Sequence, residues 1–445
     1  MNLLQVFMSL INEWRPAFCK QEAFQRAKQH ALATLCSFGK HTITSLAIFL
    51  GRGVNKPSSD YKLYSWSKWK VEEIFNPLLF QCFQFFKEDT IVVGADDTKL
   101  KKTGKKIPFT SWQRDPMSPP FHVNFIWALR FLQFSALIPL YQNTGAPCRA
   151  IPSKRASAQQ KQVYKQAQKE YNLSSIFVKE VQLLRKSIDQ LGGSNKTLLM
   201  VVDGSFCNKT CMRIDIPKVQ LVARCRKDAK LCRSYQGSKR KIYDDKKFTP
   251  EEIRKDEQIK WKKEDFFYGG EWRCIRYKEV NGVLWQRGCQ RKQLRLIVLA
   301  PLPYVRGGRR NYRQPAYLLC TDTNGPIGKL IQAYFDRIQI EYNHRDEKSI
   351  IGVGQAQVRN EQSVAKQPGL CVAAYSALLL ANIIVYKDQP HEDFGQESKW
   401  RPKPKRNSCR RLIGLLRKTL IEEPQKIVEL KMTPIDIATI LSKAA

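Results

Sequence analysis

Residues 334–349 read YFDRIQIEYNHRDEKS, and their polar side chains recur at a helical spacing. At about 100° per residue, four of them share one stripe roughly 60° wide: Tyr334, Arg337, Glu341 and Lys348. A neighbouring stripe is apolar and is expected to anchor the helix on a sheet; it holds Ile331, Phe335, Ile338 and Tyr342. A solvated face with i,i+4 salt bridges would explain a pair such as Arg337–Glu341, but not a shared face of four residues.

The other acids of this segment, Asp336, Asp346 and Glu347, point away from the polar stripe. Glu341 is therefore the acid that the helix presents together with an aromatic, an arginine and a lysine. His344 falls at the margin of the same stripe.

Two further acids follow apolar runs typical of buried strands. Residues 89–97 read DTIVVGADD and end in Asp96 and Asp97, whereas residues 195–206 read NKTLLMVVDGSF and place Asp203 directly after the run. Acids at the carboxyl ends of strands indicate a site at that edge of an α/β sheet. Taken singly, such an acid is more often a turn residue or a helix cap. The sequence leaves both Asp96 and Asp97 open as the first acid, and we expect Asp97.

The spacing Y-x2-R-x3-E-x6-K over residues 334–348 resembles the signature of a large group of bacterial insertion-sequence transposases with a DDE catalytic triad. Asp97 followed by Thr98 is similar to the D-T motif of the first catalytic acid, and Asp203 resembles the second. Residues 352–360, GVGQAQVRN, are similar to the segment on the C-terminal side of the glutamate in this group. The resemblance covers about residues 85–385.

The resemblance implies an α/β fold with a ribonuclease-H-like core, in which a mixed sheet flanked by helices is interrupted by a mostly β insertion. Hairpin signals cluster in the same region, above all Asn281-Gly282 between two expected strands. The expected divisions are a helical DNA-end-binding domain (1–88), the first part of the core (89–225), the insertion (226–315), the second part of the core (316–388), and a basic linker with C-terminal helices (389–445).

The resemblance also implies metal-dependent DNA cleavage and strand transfer, with Asp97, Asp203 and Glu341 as catalytic residues and metal ligands. Carboxylates held close together repel each other unless cations offset their charge. Mg²⁺ accepts carboxylate and phosphate oxygens, and two ions can activate the attacking and stabilise the leaving oxygen. We expect two Mg²⁺ ions, with Mn²⁺ as a substitute.

Expected contacts to DNA come from three places. The resemblance implies Tyr334, Arg337 and Lys348 as contacts to transposon-end phosphates. The run TKLKKTGKK after the first acid offers Lys99, Lys101 and Lys102. Residues 221–313 carry 26 Lys and Arg against 11 Asp and Glu, and Trp272 and Trp285 in this stretch either stack unpaired bases or fill a small β core.

The whole chain has 445 residues and a formal net charge of +36, which favours a polyanionic partner. We expect double-stranded DNA, namely transposon terminal inverted repeats and target DNA, bound by a homodimer in a synaptic complex. Residues 369–386 form an uncharged apolar run that is expected to be a core helix rather than a membrane span. The expected location is the bacterial cytoplasm, with association to the nucleoid when DNA is bound.

Several alternatives remain open at this point. A domesticated transposase that only binds DNA would keep the fold without transposing, and a basic RNA-binding protein would carry the acids incidentally. Zinc would require a four-cysteine set, for which Cys207, Cys211, Cys225 and Cys232 are the candidates, although structural zinc prefers tighter pairs. Residues 399–411, KWRPKPKRNSCRR, are expected to be a mobile linker.

Overall fold

A computed structural model describes residues 1–52, 57–115, 117–119, 121–140, 146–157, 172–237, 241–394 and 404–423. The first part of the expected linker and the last of the expected C-terminal helical stretches lie outside these residues. The described chain is a mixed α/β protein built around one large mixed sheet.

Fourteen strands are present in the described chain, and twelve of them form the large sheet. In chain order the strands are β1 Thr90–Lys101, β2 Ser111–Arg114, β3 Phe125–Pro139, β4 Cys148–Ser157, β5 Thr197–Val202, β6 Val219–Arg224, β7 Leu231–Ser234, β8 Tyr243–Phe248, β9 Lys262–Tyr268, β10 Glu271–Leu284, β11 Gln293–Leu299, β12 Pro303–Arg306, β13 Arg309–Tyr312 and β14 Ala316–Cys320.

One half of the sheet has the order β4-β3-β1-β5-β6. Strand β3 pairs antiparallel with both β1 and β4, while β5 is parallel to β1 and β6 is parallel to β5. The apolar runs in β1 and β5 form strands because helices cover the sheet at this point, so that both faces of the strands are buried. The two strands that lead to the acids are therefore buried on both faces.

The other half continues the same sheet. Strand β14 pairs antiparallel with β6 and is followed by β11, β10, β7 and β8, while β9 adds to β10. Strands β12 and β13 form a separate two-stranded hairpin. The mostly β character expected for residues 226–315 is present, and these strands extend the central sheet.

The hairpin expected at Asn281-Gly282 is wrong. Strand β10 runs straight through these residues, and its pairing with β11 shifts between Val280 and Val283, which is a β-bulge. Gly282 has φ +68°, and a bulge accommodates this left-handed conformation as well as a hairpin turn does. The turn that folds β9 onto β10 lies instead at Gly269-Gly270, with φ +68° and +91°.

Two other strand predictions also need correction. The apolar runs at residues 121–131 and 134–141 predict two strands, but the single 15-residue strand β3 covers most of both. Strand β4 follows as its partner and was not predicted, since Pro152 and its basic side chains obscure an apolar alternation. In the described sheet β4 pairs with β3 alone, and Pro152 lies opposite Ser135, where the register of this pairing is irregular. A proline is tolerated at such an edge position.

The described helices are α1 Leu3–Asn12, α2 Gln21–Cys36, α3 Ile43–Phe49, α4 Ser58–Ser65, α5 Val71–Phe83, α6 Leu173–Ile188, α7 Lys209–Met212, α8 Pro250–Lys255, α9 Gln286–Cys289, α10 Ile327–Asp336, α11 Ile338–Ser349, α12 Glu361–Tyr386 and α13 Cys409–Glu422. The helices of residues 1–88 were expected from their apolar spacing, and they share one hydrophobic core with α12, α13 and the sheet.

Helix α12 is the centre of that core. Within the described residues it is the one helix long and apolar enough to cross a membrane, with a mean hydropathy of 1.9 over its most apolar 18 residues. Its most apolar window is 89% buried, because α1, α2, α4, α5 and β4 pack around it. The expectation of a core helix at residues 369–386 is confirmed.

A buried ionic cluster ties α2, α4 and the segment after α3 together. The carboxylate of Asp60, on α4, is fully buried and accepts from Arg26 at 3.0 Å, from His30 at 2.9 Å and from Arg52. Burial raises the pKa of Asp60, but His30 and the arginines outweigh it and hold that pKa at about 2. Asp60 is therefore ionised in the folded protein and fixes how α2 and α4 meet.

The end of the expected mobile linker is ordered. Arg406 donates to Asp388 at 2.9 and 3.1 Å, and the buried Asn407 donates to Asn382 at 2.8 Å. Arg149 of β4 also pairs with Asp388 and donates to the carbonyl oxygen of Asn407 at 2.8 Å. The mobile-linker prediction is wrong for residues 404–408, because their polar groups satisfy a buried carboxylate.

Candidate active site

The helix expected around residue 340 is two helices that meet at Arg337. Helix α10 ends at Asp336 and α11 begins at Ile338, with a tight turn in which the amide of Ile340 donates to the carbonyl of Arg337 at 3.0 Å. The break shifts the register of the apolar side chains. Ile338 and Tyr342, expected as anchors, are 37% and 46% exposed.

The residues that anchor the two helices are Ile331 and Phe335, as expected, together with Ile340, which is fully buried. Helix α11 approaches β1 closely at Gly94, where an added Cβ would stand 2.4 Å from Cδ1 of Ile340. Glycine at this position therefore sets the distance between α11 and β1, the strand that carries Asp96 and Asp97 and continues beyond them to Lys101.

The acids lie around one open cleft of about 760 Å³. Its walls include Asp96, Asp97 and Lys99 from β1, Asp203 after β5, and Glu341, His344 and Lys348 from α11. The sequence-predicted acids are therefore brought together from positions more than 100 residues apart along the chain.

Asp96 and Asp97 both line the cleft, but as adjacent strand residues their side chains leave β1 on opposite faces. Both carboxylate oxygens of Asp97 accept from Arg130 of β3, at 2.7 and 3.0 Å. Asp96 instead lies 3.4 Å from Arg337, which also donates to Glu341 at 3.0 Å. The geometry favours Asp96 over Asp97 as the acid that faces Glu341.

Asp203 lies beside Asp96 because β5 runs parallel to β1. The last paired residues of these strands are Ala95 and Val202, and each is followed by its acid. One carboxylate oxygen of Asp203 accepts from the amide of Ser205 at 2.9 Å and from its hydroxyl at 2.6 Å. Asp203 thus caps a short turn and keeps its other oxygen for the cleft.

The electrostatics of Asp96 reflect this setting. Burial raises the pKa of Asp96 to about 6, and the nearby carboxylates Asp203 and Asp97 add to the increase, while Arg337 and His344 oppose it. A carboxylate whose ionised form is this poorly stabilised gains from any additional cation in the cleft.

A buried polar network lies behind Glu341. Glu347 is 1% exposed and accepts from Gln133 of β3 at 2.7 Å, and the ring of His344 lies 3.5 Å from its other oxygen. Within the described residues, four buried polar atoms of this region have no hydrogen-bond partner: Oγ1 of Thr98, Oε1 of Gln133, Nε of Arg337 and Nε2 of His344. The network fixes α11 on β3 and keeps polar atoms available beside the acids.

The residues expected to contact DNA have different placements. Lys348 lines the cleft, Lys99 donates to the carbonyl of Arg114 at 2.6 Å, and Lys101 lies 3.5 Å from Asp115. Tyr334 is half-buried with its ring 5.8 Å from that of Phe335, and it does not line the cleft.

Lys102 does not fit the expected role. It is 7% exposed, and its ammonium group donates to the carbonyls of Gly354 and Ala356, both at 2.7 Å. These bonds hold the segment after α11 against β1, so we assign Lys102 a structural role.

The two tryptophans of the insertion differ as well. Trp272 is 59% exposed and contacts Phe267, with ring centroids 5.8 Å apart, whereas Trp285 is half-buried against the core. Trp272 alone of this pair presents a free face to solvent; neither lines the cleft.

No group of three or more His, Cys, Asp or Glu side chains is arranged to hold a metal ion in the described part of the chain. At the acids, Arg337 lies between Asp96 and Glu341, and Arg130 engages Asp97. The donor chemistry nevertheless fits Mg²⁺, since the cleft offers carboxylate oxygens from three separate elements.

The proposed cysteine set does not form a zinc site in the described chain. Burial raises the pKa of the thiols of Cys207 and Cys211, to about 12 and about 11, and that of Cys225 also rises. Cys232 is buried on β7, where its thiol donates to the carbonyl of Leu284. Burial thus disfavours the thiolate form of Cys207, Cys211 and Cys225, which is the form that binds zinc.

Three residues of the site were not predicted from the sequence: Arg130, Gln133 and Glu347. A signal existed for the first two, because each is a polar side chain within the otherwise apolar strand β3. Glu347 points away from the polar stripe, as expected, and it accepts a hydrogen bond from Gln133.

No protein-family model matches this chain, and no curated protein matches it.

The raised pKa of Asp96 predicts an effect on stability. Because its folded-state pKa is above its unfolded value of about 3.8, ionised Asp96 destabilises the metal-free fold above about pH 6, and this penalty disappears as the pH falls toward 4. Asp96→Asn is expected to stabilise the metal-free protein at pH 7 by about 1–3 kcal/mol. Thermal unfolding in EDTA at pH 7 and pH 5 measures this effect. A variant less stable than wild type at pH 7 would contradict the burial of this carboxylate.

Proposed function

We propose that this chain is a DNA transposase that binds transposon ends and carries out metal-dependent strand cleavage and strand transfer. One observation carries the proposal: Asp96, Asp203 and Glu341, from two parallel strands and one helix, meet at a single open cleft. Arg337 and Lys348 of the helical signature are at the same place, and they match the Y-x2-R-x3-E-x6-K spacing.

The sheet topology supports a ribonuclease-H-like core. In the order β4-β3-β1-β5-β6, strand β3 is antiparallel to both β4 and β1, and β5 and β6 run parallel to β1, as expected for that fold. The first acid lies on the central strand β1 and the second follows its parallel neighbour β5. The residues 226–315 interrupt this unit between the second acid and the glutamate.

Asp96, Asp203 and Glu341 are the residues that would hold Mg²⁺. When bound, the metal would activate the attacking oxygen and stabilise the leaving oxygen of a phosphodiester displacement. The chain itself orients the acids: Ser205 fixes Asp203, and Arg337 joins Asp96 to Glu341. Lys348 at the rim offers a positive charge to a backbone phosphate.

The charge distribution supports duplex DNA as the partner. Residues 221–313 have an excess of basic residues, with 26 Lys and Arg against 11 Asp and Glu, and they extend the same sheet that carries the cleft. Cationic side chains along such a surface neutralise phosphates and release counterions.

The test is cleavage of linear DNA that carries the genomic sequences flanking the coding region, incubated with the full chain. We expect strand breaks in Mg²⁺ or Mn²⁺, none in EDTA, and none in either metal for Glu341→Gln. Asp228→Asn is a matched control, because Asp228 is an exposed carboxylate that pairs only with Arg226 in the described structure.

Each outcome separates the proposed enzyme from its alternatives. Specific binding to the flanking DNA without cleavage would indicate a domesticated DNA-binding protein. Preference for structured RNA over this duplex would indicate an RNA-binding protein. Cleavage that persists in Glu341→Gln would place the chemistry elsewhere and contradict the proposed site.

A further inference from the structure

The hairpin of β2 and β3 carries an exposed aromatic surface next to the cleft. Five large apolar side chains of this segment are at least 54% exposed: Trp112, Met117, Phe121, Val123 and Phe125. Isolated exposed apolar residues are normal on protein surfaces, but such a concentration within one hairpin indicates an interaction site. Met117, in the loop between β2 and β3, also lines the cleft, so the loop of the hairpin reaches it.

Two residues of this surface, Trp112 and Phe125, form a cluster with Trp127, Lys105 and Arg114, which we call the hairpin platform. Trp112 pairs with Trp127 and Arg114 with Phe125 across the two strands, so these side chains share one face. The two indole rings are 5.7 Å apart at 67°, and the Trp127 ring nitrogen donates to the carbonyl of Gly104 at 3.2 Å.

The platform also carries positive charge directly on its rings. The ammonium group of Lys105 lies 4.2 Å from the ring centre of Trp112 and 4.7 Å from that of Trp127. Arg114 is exposed on the same face. An apolar protein partner would have to bury the charge of Lys105, which is costly without a counter-charge. A nucleic acid offers flat bases to the rings and phosphates to the cations.

The platform faces the same side of the sheet as Asp96. Asp96 is paired with Gln133, and Trp127 lies six residues away along the same strand, an even number that returns its side chain to the same face. At about 3.3 Å per residue, this separation is roughly 20 Å. That distance corresponds to about six steps along a DNA strand.

We propose that the hairpin platform stacks unpaired bases of the DNA strand that leaves the cleft, with Lys105 and Arg114 on the adjacent phosphates. This inference rests on the proposed function only for the nature of the partner, which is DNA. It adds a recognition surface on the core sheet, separate from the helical signature and from residues 226–315.

The test is fluorescence anisotropy of labelled DNA in EDTA, where no cleavage is needed. The probes are a short blunt duplex and the same duplex with a single-stranded thymidine arm. Trp112→Ala is expected to weaken binding of the armed duplex about tenfold, as stacking on one aromatic ring predicts, and to leave the blunt duplex within about twofold. Trp112→Phe should retain the preference for the arm.

Leu183→Ala is the control, because Leu183 is 43% exposed on α6 and lies outside the expected DNA-end-binding domain and outside the basic residues 221–313. Phe125→Ala is a second variant on the opposite strand and should weaken arm binding in the same direction. Equal losses on both probes would overturn the proposal. So would a change from dimer to monomer in sedimentation with unchanged DNA affinity, since the surface would then join two copies of the chain.

The inference and the proposed function fail separately. A chain that never cleaves DNA but prefers the armed duplex through Trp112 would retain the platform and lose the transposase assignment. A chain that cleaves DNA in Mg²⁺, with an arm preference that Trp112→Ala leaves unchanged, would retain the enzyme and lose the platform.

Discussion

Asp96→Asn is expected to lower the rate of DNA cleavage by on the order of 10³-fold or more, as loss of a group that acts as part of a catalytic unit does. Asparagine keeps the shape of the side chain but removes the negative charge. Asp96 lies beside Asp203 and shares Arg337 with Glu341, so its charge belongs to the group that would hold the metal.

Asp97→Asn is expected to lower the same rate by less than about tenfold. Both oxygens of Asp97 already accept from Arg130, and its side chain points to the other face of β1. The side chain of Arg130 is already 24% exposed. Water can therefore solvate its guanidinium group when Asp97 no longer pairs with it.

Single-turnover cleavage of the flanking DNA in Mg²⁺ measures both variants under one set of conditions. Binding of the same DNA in EDTA is the control, because neither substitution should weaken it. An inactive Asp97→Asn combined with an active Asp96→Asn would reverse the assignment and would require Arg130 to release Asp97 when DNA binds.

The comparison of Asp96 with Asp97 shows what the sequence can and cannot predict. The apolar run before them predicts a buried strand, and the acids after it predict the edge at which the site lies. The choice between Asp96 and Asp97 depends on which face of β1 meets α11. The alternation of side chains shows that the two acids lie on opposite faces, but not which face α11 covers. Gly94 determines that contact by admitting Ile340, which is 246 positions away along the chain.

The helical signature was predictable for similar reasons and with similar limits. The spacing places Arg337, Glu341 and Lys348 on one side, and in the structure Arg337 and Glu341 form an ion pair while Lys348 lines the cleft. The break at Arg337 was not predictable, because no proline or glycine marks it. It turns Ile338 and Tyr342 toward solvent and brings Arg337 between two acids.

The polar network behind the site depends on tertiary contacts alone. Gln133 and Glu347 are 214 positions apart, and each looks locally like a surface residue. Their burial results from the packing of α11 on β3, which periodicity does not specify. The same is true of Lys102, whose place in a lysine-rich run predicts a phosphate contact although two carbonyl oxygens bind it.

Asp388→Ala is expected to destabilise the folded protein by about 3–5 kcal/mol, the range for breaking a buried ion pair from one side. Asp388 is fully buried and joins three parts of the chain: Arg149 of β4, Asn382 of α12 and Arg406. Its removal leaves the guanidinium groups of Arg149 and Arg406 without their carboxylate. Water can replace it only in part, because these side chains are 9% and 23% exposed.

The pH dependence of this contribution has a defined sign. Burial raises the pKa of Asp388, but Arg149 and Arg406 outweigh it, and the pKa is lowered overall. The stabilisation is therefore present above the unfolded pKa of about 3.8 and is lost as the pH falls through the lower folded-state pKa. Wild type and Asp388→Ala should consequently differ most near neutral pH and converge in acid.

Urea unfolding followed by tryptophan fluorescence measures the difference at pH 7 and at pH values below the unfolded pKa of about 3.8. Asp228→Ala is the control, because an exposed pair such as Asp228–Arg226 contributes at most about 1 kcal/mol. Equal stability of Asp388→Ala and wild type would mean that residues 404–408 are not held in place. The expected loss would instead show that this basic segment is part of the fold, because Arg406 and Asn407 are bound to the ends of α12 and β4.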